Sequence, residues 1–198
     1  MHPESAAQPR KRPVRDLLAR AMGHHQKGEL PQAEKYYKRA LKVAPDHPDA
    51  LHLSGLVAHQ LGRHPRAIKL ISKAIKKDCN QKVFHTNLSI IHNELCNWED
   101  ARAAATSALE LDEDDGEAWG NLGLALAGLR QIDEALGAMD RSLAIAPQNA
   151  LFLCNQATLL VAKEQHKQAE AACRRALALQ PLSALAATAL AVYLKKMI

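Results

Sequence analysis

The sequence predicts an all-α protein built as a stack of helix–turn–helix repeats. Three observations predict it. Apolar residues recur at helical spacing: Trp119, Leu122, Gly123 and Leu126 sit at i, i+3, i+4 and i+7. After a turn at Arg130-Gln131, Ala135, Leu136, Met139 and Leu143 form a second such face. The pattern returns every 34 residues, starting at Val14, Pro48, Lys82, Gly116 and Ala150, with a partial sixth unit from Ala184. Finally, three positions per unit hold only Ala, Gly or Ser. Position 8 is Ala21, Gly55, Ser89, Gly123, Ala157 and Ala191; position 20 is Ala33, Ala67, Ala101, Ala135 and Ala169; position 27 is Ala40, Ala74, Ala108, Ser142 and Ala176. Where two helices cross on small residues, nothing larger fits without pushing them apart.

The run Trp119-x2-Leu122-Gly123, then Ala135, then Pro147 resembles the tetratricopeptide repeat (TPR). The resemblance covers residues 14–198. It implies a right-handed α-α superhelix of five repeats plus a C-terminal helix, each repeat contacting only its neighbours. It also implies a protein-interaction scaffold with no chemistry of its own.

Taken in order, residues 1–13 carry three prolines and Arg10-Lys11-Arg12 and read as a disordered basic tail. In the first repeat, 14–47, Leu17 and Ala21 mark helix A and Gly28 closes it. Pro31 opens helix B, Tyr37, Ala40 and Leu41 form its inner face, and Pro45 stops it. The second, 48–81, repeats this with Gly62, Pro65, Ile71 and Ile75. The third, 82–115, replaces the glycine turn with Cys96-Asn97 and ends in the acidic run Asp112–Asp115. That run lacks the glycine and bidentate Glu spacing of a calcium loop and reads as a solvated loop. The fourth and fifth are 116–149 and 150–183, the last closed by Pro181. Residues 184–198 read as a closing helix, a partial sixth repeat or cap. It carries more apolar residues than one buried face needs, so this end is expected to form a homodimer or to continue into a longer protein.

Aromatic residues are only 4% of the chain, so the core is aliphatic and small. The net charge of +5 is too small to argue for nucleic acid. Cys79, Cys96, Cys154 and Cys173 show no zinc spacing and read as reduced thiols, Cys173 on a buried position. No signal-peptide core and no membrane-length apolar run is seen, so a cytoplasmic protein is expected. No nucleophile elbow, phosphate loop, HExxH or dinucleotide fingerprint is present, so no catalysis and no cofactor are expected.

In the TPR family helix A lines the concave groove, chiefly through positions 2, 5, 6, 9, 12 and 13. Position 6 is Asn87, Asn121 and Asn155 in successive repeats, flanked by Leu53 and Ala189. Asn is a poor helix former whose amide both donates and accepts. The column resembles the asparagine ladder of O-linked N-acetylglucosamine transferases, which implies a grip on the backbone of an extended peptide. Position 9 is Met22, Leu56, Ile90, Leu124 and Thr158, an apolar strip in which Leu56, Ile90 and Leu124 would hold side chains. His25 and His59 share position 12, and His52 and His59 join the expected peptide-binding set. No thiol or carboxylate joins these histidines at a convincing phase, so no metal is expected. The carboxylate clamp of chaperone-tail-binding members is excluded, since Leu18 and Met22 stand where it needs Lys and Asn. A protein or peptide partner is expected, and neither nucleic acid nor membrane. The alternative is the substrate-recognition front part of a TPR-containing glycosyltransferase or other transferase whose catalytic domain is absent here.

Overall fold

The computed structural model describes residues 11–180. Among these it is all-α, with ten helices. They are α1 (Lys11–Gln26), α2 (Leu30–Val43), α3 (Pro48–Gln60), α4 (His64–Lys77), α5 (Lys82–Glu94), α6 (Trp98–Leu111), α7 (Gly116–Gly128), α8 (Ile132–Ile145), α9 (Ala150–Ala162) and α10 (His166–Leu179). The A helices from α3 onward begin at 48, 82, 116 and 150, a spacing of 34. α1 begins at Lys11, within the segment expected to be tail, because Pro13 falls in the first turn, where a missing N–H costs nothing. Residues 1–10 and the closing helix expected over 184–198 lie outside the described residues.

The three small-residue columns account for the packing. Ala21, Ala33, Ala40, Ala67, Ala74, Ala101, Ala108, Ala135, Ala169 and Ala176 are fully buried. A Cβ on Gly55 would stand 2.6 Å from Ile71, and one on Gly123 2.9 Å from Met139. Only a hydrogen would fit there, so helices A and B of these repeats are in backbone-close contact. The two serines in the columns satisfy their hydroxyls on backbone carbonyls, Ser89 within its own helix and Ser142 across to α7. Ser89 Oγ donates to the Thr86 carbonyl at 2.7 Å and Ser142 Oγ to the Gly116 carbonyl at 2.6 Å.

The chain forms two compact units, residues 1–91 and 92–198. In the first, Ala21, Ala33, Tyr37 and Val57 form a cluster flanked by Leu18, Leu30 and Leu53. Glu34 of α2 accepts from Arg63 at 2.9 Å and Arg66 at 2.7 Å, which ties the first repeat to the second. In the second unit, Met139, Leu153, Val161 and Cys173 are buried in one core. The Asp112–Asp115 run is a turn and a cap: Asp115 accepts from the Glu117 and Ala118 amides and so starts α7.

Every A-to-B turn places one residue in the left-handed region, again at a spacing of 34. These are Gly28 (φ +74°), Gly62 (+72°), Cys96 (+57°), Arg130 (+66°) and Glu164 (+60°). An L side chain there is strained by about 1–2 kcal/mol, partly offset in a glycine variant by the looser unfolded chain. Arg130→Gly and Glu164→Gly are therefore expected to raise stability by up to about 1 kcal/mol each, read as a rise in the thermal midpoint.

Candidate functional site

The A helices present their inner residues differently in the two units. In the first unit, His52 is 5% exposed and its ring lies 4.5 Å from that of Phe84. Asn87 Nδ2 donates to His52 Nε2 at 2.9 Å, so the imidazole accepts through that nitrogen and is neutral. Burial pushes the His52 pKa down to about 4 against the opposing pull of Asp49. His52 and the amide nitrogen of Asn87 thus serve the packing of α3 on α5. The surface left open holds Met22, 43% exposed, with half-buried Leu53, Leu56 and Ile90. Met22, His25, Leu53 and Gln60 line a cleft of about 330 Å³ over Tyr37, and His25 Nε2 meets Gln60 Oε1 at 2.9 Å across α1 and α3. A wider cleft of about 830 Å³ adjoins it, lined by Val14, Leu18, Met22, Val43 and His47. His59 sits at the end of α3 beside His64, outside these clefts.

In the second unit Asn121 is 4% exposed and Asn155 half-buried. The Nδ2 atoms of both are buried without a hydrogen-bond partner among the described residues. A buried amide that makes no bond costs about 1–3 kcal/mol. Asn93 Nδ2 donates to the Asn121 carbonyl at 2.9 Å, and Asn93 Oδ1 also lacks a partner. Leu124, one turn on from Asn121, is half-buried, while Thr158 is exposed and its hydroxyl bonds back to the Cys154 carbonyl. Two glycines on α7 let large rings approach: Phe152 stands over Gly120 and Trp98 over Gly128.

Sequence reasoning placed the three asparagines in one column, and the structure divides them. Asn87 is spent on His52, whereas Asn121 and Asn155 keep unpartnered amides. Asn93 was missed. The signal available was its place at position 12, shared with His25 and His59. The charge distribution was also missed, because +5 is a residual. Residues 1–91 hold 17 Lys and Arg against 7 Asp and Glu, and 92–198 hold 9 against 14, giving +10 and −5. The basic excess lies on exposed B-helix positions such as Lys35, Arg39, Lys42, Lys69 and Lys76. Among the described residues no helix is long and apolar enough to cross a membrane.

Models of the tetratricopeptide repeat match residues 18–81, 94–150 and 150–181. Curated proteins that align with parts of the chain include the following two. The N-terminal acetyltransferase A complex auxiliary subunit NAA15 of Arabidopsis thaliana is 25% identical over 59% of this chain and 14% of its own. The protein O-mannosyl-transferase TMTC3 of Homo sapiens is 27% identical over 68% of this chain and 15% of its own. The chain thus spans about one seventh of the length of each. Among solved structures, Pseudomonas aeruginosa PilF superposes with a TM-score of 0.81 at 19% identity, covering 90% of this chain and 82% of that one. YrrB, described as a TPR protein with an unusual peptide-binding site, superposes at 0.71 and 23% identity, over 93% and 98%. MamA of Desulfovibrio magneticus RS-1 gives 0.77 at 19%, over 90% and 99%. At these identities the likeness is one of fold.

Proposed function

Because the chain belongs to the tetratricopeptide-repeat family, we propose that it is a non-enzymatic scaffold that binds an extended peptide segment of another protein along its A helices. The observation that carries this is the pair of buried, unpartnered amides of Asn121 and Asn155, one repeat apart at the same phase. A peptide carbonyl is the acceptor such an amide lacks, and a repeat of one amide per A helix suits a backbone rather than a particular side chain. Half-buried Leu124, one turn on from Asn121, supplies an apolar contact beside that amide. In the first unit, half-buried Leu56 and Ile90 and the cleft at Met22 offer apolar A-helix surface of their own. YrrB, of the same fold, is itself described as having a peptide-binding site. Four free cysteines fit a cytoplasmic protein.

The test is a selection of peptides from a random library on the full chain, followed by affinity measurement on variants. Asn121→Ala with Asn155→Ala is expected to weaken the selected peptides by about tenfold or more, since each lost bond is worth about 1 kcal/mol. Lys35→Ala with Lys69→Ala, on the B helices, is expected to leave affinity unchanged. Equal loss from both pairs would count against the A-helix surface.

A second reading is favoured by the curated relatives, one an auxiliary subunit of an acetyltransferase complex and one a mannosyl-transferase. Here the same surface would select substrates for a transferase domain on a longer chain or a partner. Co-purification of a transferase activity that survives Asn121→Ala with Asn155→Ala, but loses its preference among substrates, would favour this reading over a free-standing scaffold. Self-association through the segment 184–198 is a further proposal, read directly by light scattering on the chain with and without it.

A further inference from the structure

We infer that His59 and His64 form a binding site for one divalent transition-metal ion of the zinc, nickel and copper class, clasping the turn between α3 and α4. His59 lies in the last turn of α3 and His64 is the first residue of α4. Between them the chain reverses through Gly62, at φ +72°. Two backbone bonds fix that reversal: the Gly62 amide donates to the His59 carbonyl and the Arg63 amide to the Ala58 carbonyl, each at 2.8 Å. The imidazoles are thereby presented with their Nδ1 atoms 3.2 Å apart and ring centres 5.2 Å apart.

That separation is the one a metal requires. With metal–nitrogen bonds of about 2.05 Å, two nitrogens 3.2 Å apart subtend about 100° at the ion, between the square-planar or octahedral angle and the tetrahedral one. Neutral imidazole suits zinc, copper and nickel over calcium or magnesium. Without an ion, two Nδ1 atoms at this distance must share a proton, one ring donating to the other. The metal takes that proton's place, so binding competes with protons. The nearest cation along the chain is drawn off, since the Arg63 guanidinium is held on Glu34 at 2.9 Å. The remaining coordination positions stay open to further ligands. The other described repeats carry His25 and Leu30, Asn93 and Trp98, Ala127 and Ile132, and Val161 and His166 at the two positions, so the pair is particular to the second repeat among them.

The experiment is calorimetric titration of the full chain with Zn2+, in a background of Cys79→Ser and Cys96→Ser that removes the two exposed thiols. The expected result at about pH 7.5 is one saturable site, with a rise in thermal midpoint that a chelator reverses. His64→Gln and His59→Gln, both half-exposed and each checked by circular dichroism, lose at least about tenfold, the loss of one of two ligands. His25→Gln, one repeat away, keeps full affinity. Unchanged affinity in His64→Gln and His59→Gln, or no saturable binding at millimolar zinc, overturns the site.

Discussion

Gly120→Ala is expected to destabilise the chain by about 2–3 kcal/mol, although alanine is the better helix former by about 1 kcal/mol. A Cβ on Gly120 would stand 2.2 Å from Phe152 Cζ, with the neighbouring ring carbons at 2.3 and 2.6 Å. Phe152 is 3% exposed and packed in the core of the second unit, so its ring has no free volume to enter. The clash therefore falls on the α7–α9 packing. Two controls make the result specific. Gly137→Ala, on α8 where nothing lies within 4 Å of the added carbon, should stabilise by up to about 1 kcal/mol. Phe152→Leu added to Gly120→Ala should recover part of the loss, a coupling that a double-mutant cycle reads from urea midpoints. Equal effects of Gly120→Ala and Gly137→Ala would mean that Phe152 does not rest on Gly120.

His52 makes the first unit acid-sensitive. Its folded pKa of about 4 lies below the ordinary value of 6.5, burial being the cause and Asp49 the partial counterweight. A base whose folded pKa is depressed stabilises the fold fully above its unfolded pKa and loses that contribution as pH falls toward the folded one. The unfolded chain takes up a proton through about pH 6.5, while folded His52 stays neutral until about pH 4. The difference corresponds to about 3 kcal/mol across that interval. His52→Gln keeps an acceptor for Asn87 and removes the proton uptake. Its stability is expected to fall less than wild type between about pH 6.5 and 4. Burial also lowers the His92 pKa, against Asp100, so both proteins retain some acid limb, and the difference between the two curves isolates His52. Parallel curves would mean that folded His52 takes up its proton as readily as the unfolded chain does.

The repeat register was legible in the sequence because interdigitation at a helix crossing tolerates no volume, so small residues mark the contact points wherever they recur. The turns were legible in part. Gly28 and Gly62 announce a left-handed residue, whereas Cys96, Arg130 and Glu164 take the same conformation without a residue type that prefers it. There the packed pair of helices, and not local preference, sets the backbone. The start of α1 was misjudged because three prolines in 13 residues look like tail, although Pro13 is compatible with a first helical turn.

The candidate site was legible as a phase and not as a set of bonds. Position 6 named Asn87, Asn121 and Asn155 together, but what each amide meets depends on the residue across the repeat boundary. For Asn87 that residue is His52, which accepts its hydrogen bond. In unit 2, Gly120 occupies His52's position 5, and it offers Asn155 no side-chain acceptor. A periodic reading of single positions cannot see such a pairwise difference. The same limit hid the pairing of His59 with His64, since positions 12 and 17 belong to different helices and meet only through the turn geometry.

The most direct test of peptide binding on the A helices is a methyl-labelled nuclear magnetic resonance titration of the full chain with a library-selected peptide. Saturable shifts at Leu124, lost on Asn121→Ala with Asn155→Ala, are the predicted result. Shifts confined to B-helix methyls such as Ile68, Ile75 and Leu109, with Leu124 silent, would contradict it.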